Sequence, residues 1–453
     1  MTSNRIENSR VIHRHLKAEY PVAVGGDGPY LIDADGKRYL DGSSGAAVSC
    51  LGHSNAEVKD AIKQQLDKLA YAHSGFFTTE PMEELASFLV ERAPEGIEHV
   101  YFVSGGSEAV EGAIKIAKQY FLEIGKPEKK RVIARWQSYH GNTLGALSAG
   151  GNKFRRAQFE GLLIETMSHI SPCFEYRYRN EEESSYEFGQ RVANELETEI
   201  LKHGQENVCA FIAEPVVGAT LGCVPAVEGY FKRIREICDK YEVLLILDEV
   251  MCGMGRIGTL FACEQENVRP DIVAIAKGLG AGYQPIGAFM TSSTIYNAIK
   301  NGSGFFQHGH TYIGHATACA AALKVQQIIE RDGLLDNVKN MGDLLMRKLR
   351  NEFSGNSNIG DIRGRGLFIG LEIVQCNKSK VALEPSLKTN AAIKKAGMQN
   401  GLMCYAMGGT IDGKSGDHIM LAPPYIINES HVDEIVEKLS KSINQVLPQQ
   451  KAA

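Results

Sequence analysis

Val243-Leu244-Leu245-Ile246-Leu247-Asp248-Glu249-Val250 and Asp271-Ile272-Val273-Ala274-Ile275-Ala276-Lys277-Gly278 are two short apolar runs, each ending on a charged residue. A run that is apolar throughout, with no alternation of polar side chains, reads as a strand covered on both faces of a parallel sheet. Two such strands running side by side deliver Asp248 and Lys277 to the same edge. A carboxylate and an amine are thereby brought to one place.

The same pattern extends outward. Residues 100–103, 132–134, 208–213 and 286–290 are further strands of this kind. Helical segments lie between them, as in residues 229–241, where Tyr230, Ile234, Ile237 and Cys238 recur at helical spacing. The alternation predicts an α/β fold, with a large domain over residues 57–326 built on a mostly parallel, seven-stranded type of sheet flanked by helices. After a helical stretch at 317–350 come shorter strands around residues 362–371. A last helix at 428–447 carries the stripe Val432, Ile435, Leu439 and Ile443. These form a smaller α+β domain, residues 327–453. The N-terminal segment, residues 1–56, contains a hairpin turning at Asp35-Gly36 and is expected to pack with it.

At 453 residues the chain exceeds one ordinary core. Its 49 basic and 54 acidic residues leave a net charge of −5, which suggests neither nucleic acid nor an anionic membrane as a partner. No apolar run approaches a spanning helix and residues 1–14 are polar, so a cytoplasmic location is expected. The ten cysteines include no C-x-x-C pair and lie mostly in apolar runs, as reduced core thiols do. The histidines show no ligand spacing, and no metal is expected.

Other strand ends carry chemistry as well. Ser104-Gly105-Gly106-Ser107-Glu108-Ala109 leads from a strand into a helix, and a glycine turn with free N–H groups and a hydroxyl suits a phosphate. Trp136-Gln137-Ser138-Tyr139-His140-Gly141 follows another strand, and an aromatic ring there can stack on a flat heterocycle. Glu214-Pro215 follows a third. Ligands of open α/β sheets gather beyond the carboxyl ends of the strands, so five ends converge on one crevice. An amine, a carboxylate, a phosphate cradle and a stacking ring are what pyridoxal phosphate chemistry needs.

In this order, together with Gly255-Arg256-Ile257-Gly258, His310-Thr311-Tyr312 and Ala422-Pro423-Pro424, these motifs resemble the class III aminotransferases, fold-type I pyridoxal phosphate enzymes that include the ω-transaminases. The resemblance covers nearly the whole chain. It implies that Lys277 forms the internal aldimine and shuttles the proton, and that Asp248 pairs with the pyridinium nitrogen. It further implies that Gly106 and Ser107 hold the phosphate, Tyr139 stacks on the ring, Val250 presses on its opposite face, and Glu214 belongs to the cofactor site. Thr311 would reach the partner's phosphate, making the unit a homodimer with shared sites, or a tetramer of such dimers.

Three departures bear on the substrate. Met251 stands where many relatives have Gln. Met420 occupies a position, three before the Pro-Pro, where relatives acting on amino acids often carry a carboxylate-clamping Arg. The neighbouring loop, residues 407–416, offers Lys414 and no Arg. Ser43-Ser44-Gly45-Ala46-Ala47 replaces an aromatic of amine-specific relatives, leaving a roomier pocket with Phe76 and Phe77 from the partner as its lining. The expected activity is transfer of an amino group from an amine, ω-amino acid or amino acid to a keto acid, with pyruvate as acceptor, by a ping-pong route. An aminomutase, an amino acid racemase and a decarboxylating transaminase share the same motifs. A non-catalytic binding protein ranks last, because Lys277 and Asp248 are both present.

Overall fold

The structure, a computed structural model, describes residues 9–447; residues 1–8 and 448–453 of the expected terminal segments lie outside the described residues. The chain begins with a meander, β1 (Ala23–Asp27), β2 (Tyr30–Asp33) and β3 (Arg38–Asp41). Its middle contributes β4 (Ile97–Val103), β5 (Arg131–Arg135), β6 (Met167–Ile170) and β7 (Val208–Ala213). A small hairpin follows, β8 (Val216–Val217) and β9 (Val224–Pro225), and then β10 (Leu244–Asp248), β11 (Ile272–Ala276) and β12 (Gly287–Ser292). The last part holds β13 (Ile359–Arg365), β14 (Phe368–Ile373), β15 (Leu402–Met403), β16 (Tyr405–Gly408) and β17 (Asp417–Leu421).

Seven strands form one sheet in the order β4-β12-β11-β10-β7-β5-β6. Every residue of β7, β10 and β11 is buried. The reason is visible in the alternation of their side chains: Leu245, Leu247, Val273 and Ile275 join one apolar layer, while Leu244, Ile246, Ile272 and Ala274 join the other. The helix Tyr230–Tyr241 covers the first face with Phe231, Ile234 and Ile237. Across the sheet the helix Gly106–Glu123 covers the second with Val110, Ala113 and Ile116.

Three features differ from the expectation. The run at 286–290 becomes β12, which is antiparallel to both its neighbours, β11 and β4, while the other strands run parallel. An apolar run reports burial on two faces and carries no sign of direction, so this reversal has no local signature. The edge strand β6, Met-Ser-His-Ile, is too short and polar to announce itself. The helical stretch at 317–350 is two helices, Ala316–Arg331 and Leu334–Glu352, separated at Gly333, whose φ of 61° takes the chain through the left-handed region that glycine tolerates.

The expected boundary at 326/327 falls inside the helix Ala316–Arg331. Beyond it β13-β14-β17-β16 make an antiparallel sheet packed by the helices Leu334–Glu352 and Glu429–Val446. The N-terminal meander joins this end of the molecule, since β3 pairs in parallel with β15, Leu40 opposite Leu402. Among the described residues no helix is long and apolar enough to cross a membrane. All ten cysteines are free, and Cys376 alone is not fully buried.

A buried lysine fixes the approach to β5. Lys129 Nζ donates to the carbonyls of Gln205, Val208, Tyr241 and Glu242 at 2.9–3.1 Å, tying the start of β7 and the end of the helix Tyr230–Tyr241 to the chain that enters β5. Replacing it removes four charge-assisted hydrogen bonds to these carbonyls at once. Lys129→Met is expected to lower stability by about 2–3 kcal/mol, measured by thermal unfolding, with activity per folded molecule retained because the lysine lies at the opposite end of β5 from the crevice.

Candidate active site

Five strands end at one crevice. Asp248 is the last residue of β10, Lys277 follows β11, Glu214 follows β7, the Tyr139 loop follows β5, and Gly106 follows β4. The cavity there is lined by Gly106, Ser107, Tyr139, Glu214, Asp248, Val250 and Lys277, all expected from the sequence. His140, Gly141, Val216, Gly218, Ala219 and Met251 complete it.

The floor is a chain of alternating charges. Asp248 is 3% exposed; its Oδ2 lies 2.8 Å from His140 Nδ1, and its Oδ1 accepts the Val250 N–H at 3.0 Å. His140 Nε2, buried without a hydrogen bond, lies 4.0 Å from Glu214 Oε2. Glu214 in turn accepts the Tyr139 N–H and pairs with the buried Arg135, whose Nη2 also donates to the Glu214 carbonyl. Burial alone would push the His140 pKa down, but Glu214 and the hydrogen-bonded Asp248 outweigh it and raise it above the usual histidine value. The imidazole thus stands between two carboxylates, hydrogen-bonded to Asp248. Glu249, next in sequence, has the opposite fate: it turns away to accept the N–H groups of Ala262 and Cys263, and burial lifts its pKa to about 7.

Lys277 sits at φ 48°, a left-handed conformation costly for a residue with a side chain and sustained by the turn that follows β11. Burial brings its amine from 10.5 to about 8; Asp248 pulls the other way, while Arg155 and Arg256 add to the lowering. A far larger share of the amine is therefore neutral near neutral pH than for an ordinary lysine, and that share can attack a carbonyl.

The opposite end is a cradle for an anion. The long helix Gly106–Glu123 starts there, so its free N–H groups face the crevice. Ser107 Oγ accepts the Asn142 N–H at 3.1 Å, which orients the hydroxyl. A Cβ on Gly106 would come within 2.8 Å of Val250 Cγ1, and one on Gly141, at φ 143°, within 2.7 Å of Ser107 Oγ. Both glycines are required by close approach.

Other expected residues lie elsewhere in this chain. Phe76, Phe77 and Thr311 are exposed and do not line the cavity. Lys414 is exposed too, on a loop that Gln137 Nε2 holds by the carbonyls of Gly409 and Thr410. Met420 is buried in an apolar cluster with Phe368 and Val216, against which Met251 packs. Ala47, from the small-residue segment, belongs to the same cluster, at φ 62°. His140 and Arg135 carry the floor yet had no role assigned from sequence; the motif around Tyr139 contained the histidine, but its partner Asp248 is set by the fold.

The sequence model for "Aminotransferase class-III" matches residues 14–443. The chain belongs to the class III aminotransferases. An uncharacterized aminotransferase of Schizosaccharomyces pombe is 48% identical, over 94% of this chain and 93% of its own length. The diaminobutyrate–2-oxoglutarate transaminase of Halomonas elongata is 36% identical over 95% and 92%. Among solved structures, the omega transaminase from Pseudomonas jessenii in complex with PMP superposes with a TM-score of 0.89 at 32% identity, covering 94% of this chain and 93% of that one. The cofactor of this class III aminotransferase is pyridoxal phosphate, and the donor set fits it: an amine of lowered pKa, a buried carboxylate, a helix start with a hydroxyl, and Tyr139 and Val250 lining the space between.

Because Lys277 must be neutral to attack, the rate at which apo-protein takes up pyridoxal phosphate should rise with pH and level off above a midpoint near the lysine's value of about 8. Stopped-flow absorbance across pH 6–10 reads this. Lys277→Ala should bind the cofactor without the pH-dependent phase and lose turnover.

Proposed function

We propose that this aminotransferase moves an amino group from an amine, ω-amino acid or amino acid to a keto acid, pyruvate being the acceptor, in two half-reactions at one site. The observation that carries the reading is the pair on adjacent strands, a lysine amine of lowered pKa beside a buried carboxylate hydrogen-bonded to His140. When bound, pyridoxal phosphate supplies the sink for the electrons left on the donor's Cα. Asp248 favours a proton on the ring nitrogen, since an opposite charge at close range stabilises the cation. Lys277 Nζ would take the proton from the donor's Cα and deliver it to C4′ of the cofactor. Gly106 and Ser107 anchor the phosphate, while Tyr139 and Val250 hold the ring between them. The relative from Halomonas elongata, named for diaminobutyrate and 2-oxoglutarate, supports a donor with a terminal amine and a keto-acid acceptor.

A second copy of the chain completes the site. Phe76 and Phe77 are 82% and 68% exposed, Phe305 and Tyr312 are exposed as well, and so is Thr311; large aromatic side chains left in water are readily covered by a partner. In the dimer Thr311 reaches the partner's phosphate, and Phe76 and Phe77 line the partner's substrate pocket.

Half-reactions test the chemistry. Adding diaminobutyrate or a simple primary amine to the loaded enzyme should bleach the visible band, and pyruvate should restore it. A band untouched by every donor, with loss of optical rotation instead, would assign the site to racemisation. Sedimentation should give about twice the 49.6 kDa chain mass, and Phe77→Asp should shift the protein toward monomer and cut turnover at least tenfold, as a charge in an apolar contact costs on the order of 2 kcal/mol or more.

A further inference from the structure

A keto acid brings a carboxylate one bond from the carbon that reacts, so a cation must stand close to Lys277. Neither expected position supplies it. Met420 is fully buried among apolar side chains, and Lys414 is exposed on a loop outside the cavity. The floor's guanidinium, Arg135, is already paired with Glu214.

Arg155 remains. Its guanidinium carbon lies 4.7 Å from the centroid of the Tyr139 ring, and its charge reaches both Tyr139 and the Lys277 amine. The side chain is half-buried, and its Nε is sealed from solvent with no hydrogen-bond partner. Among the described residues it forms no ion pair. Its neighbour shows the contrast: Arg156 Nη1 is used up on the carbonyls of Leu147, Ser148 and Gly150. The backbone at Arg155 is fixed by the Asn152 cap, and Asn152 and Lys153 are in turn held by Gln137. An unpaired, partly desolvated guanidinium is costly, and the cost is recovered when an anion arrives. Stacked on a ring, a guanidinium keeps its N–H edge free for both oxygens of a carboxylate.

We propose that Arg155 receives the substrate's carboxylate, that of the keto-acid acceptor first of all, and that amines without a carboxylate bypass it. This rests on the transaminase reading and names the group that recognises its acidic substrate.

The test compares the holoenzyme with Arg155→Gln and Arg155→Lys in three measurements: the pyridoxamine-form half-reaction with pyruvate, the pyridoxal-form half-reaction with benzylamine, and binding of propionate, an unreactive carboxylate, by absorbance titration. Losing a charge-assisted pair should lower kcat/KM for pyruvate roughly 10- to 100-fold in Arg155→Gln, mainly through KM, and weaken propionate similarly. The benzylamine half-reaction, which also feels the loss of Arg155's charge near Lys277, should fall far less than the pyruvate one, and Arg155→Lys should recover part of the pyruvate loss. Equal losses with pyruvate and benzylamine, no loss with either, or a matching fall in affinity for pyridoxal phosphate would overturn the assignment. A wild-type enzyme inert in both half-reactions that still binds propionate through Arg155 would instead defeat the transaminase reading and leave the carboxylate site standing.

Discussion

A carboxylate buried at the end of a strand has to be kept charged, and the architecture around Asp248 follows from that requirement. Removing an ion from water costs several kcal/mol unless partners replace the hydration. Here His140 and the Val250 N–H replace it, and Glu214 and Arg135 extend the alternation of charge away from the crevice. The partners lie just beyond or at the ends of three neighbouring strands of one sheet, β5, β7 and β10. The parallel arrangement of β5, β7 and β10 is therefore what makes a stable anion possible at this point.

The crevice is also bound to the far end of the molecule. Arg256 is buried, donates to the Leu367 and Pro423 carbonyls, and lies over the Tyr425 ring at 4.6 Å. Tyr425 in turn donates to the Met254 carbonyl. A Cβ on Gly218, which lines the cavity, would come within 2.6 Å of Met251 Sδ and 3.1 Å of Phe368 Cζ. The cavity wall and the small sheet are thus in direct contact, and the strained segment around Ala47 packs in the same seam.

Much of this is legible in the sequence alone. The apolar runs marked the central strands and their charged ends marked the crevice, because full burial and termination on a polar residue are both local properties. The reversal of β12 was not legible, since direction depends on how the sheet is wound. The break at Asp332-Gly333 carried a glycine signal that the long apolar periodicity masked. Arg135 looked like the polar end of a strand, and its meaning comes from Glu214 on the neighbouring strand. Arg155 is similar: in sequence it is half of an Arg-Arg pair in a short helix, and only the placement of Tyr139 separates the two.

The pairing of β3 with β15 brings Leu40 beside Leu402. On the ribosome the meander is made well before its outer strand and waits while the roughly 360 residues between them are translated, on the order of half a minute at typical rates. The central sheet, finished at Ser292, can close in the meantime. During that interval the edge of β3 stands open to a wrong partner. β15 thus serves as the latch, and a chain cut short before it would present an unpaired strand edge rather than a smaller enzyme.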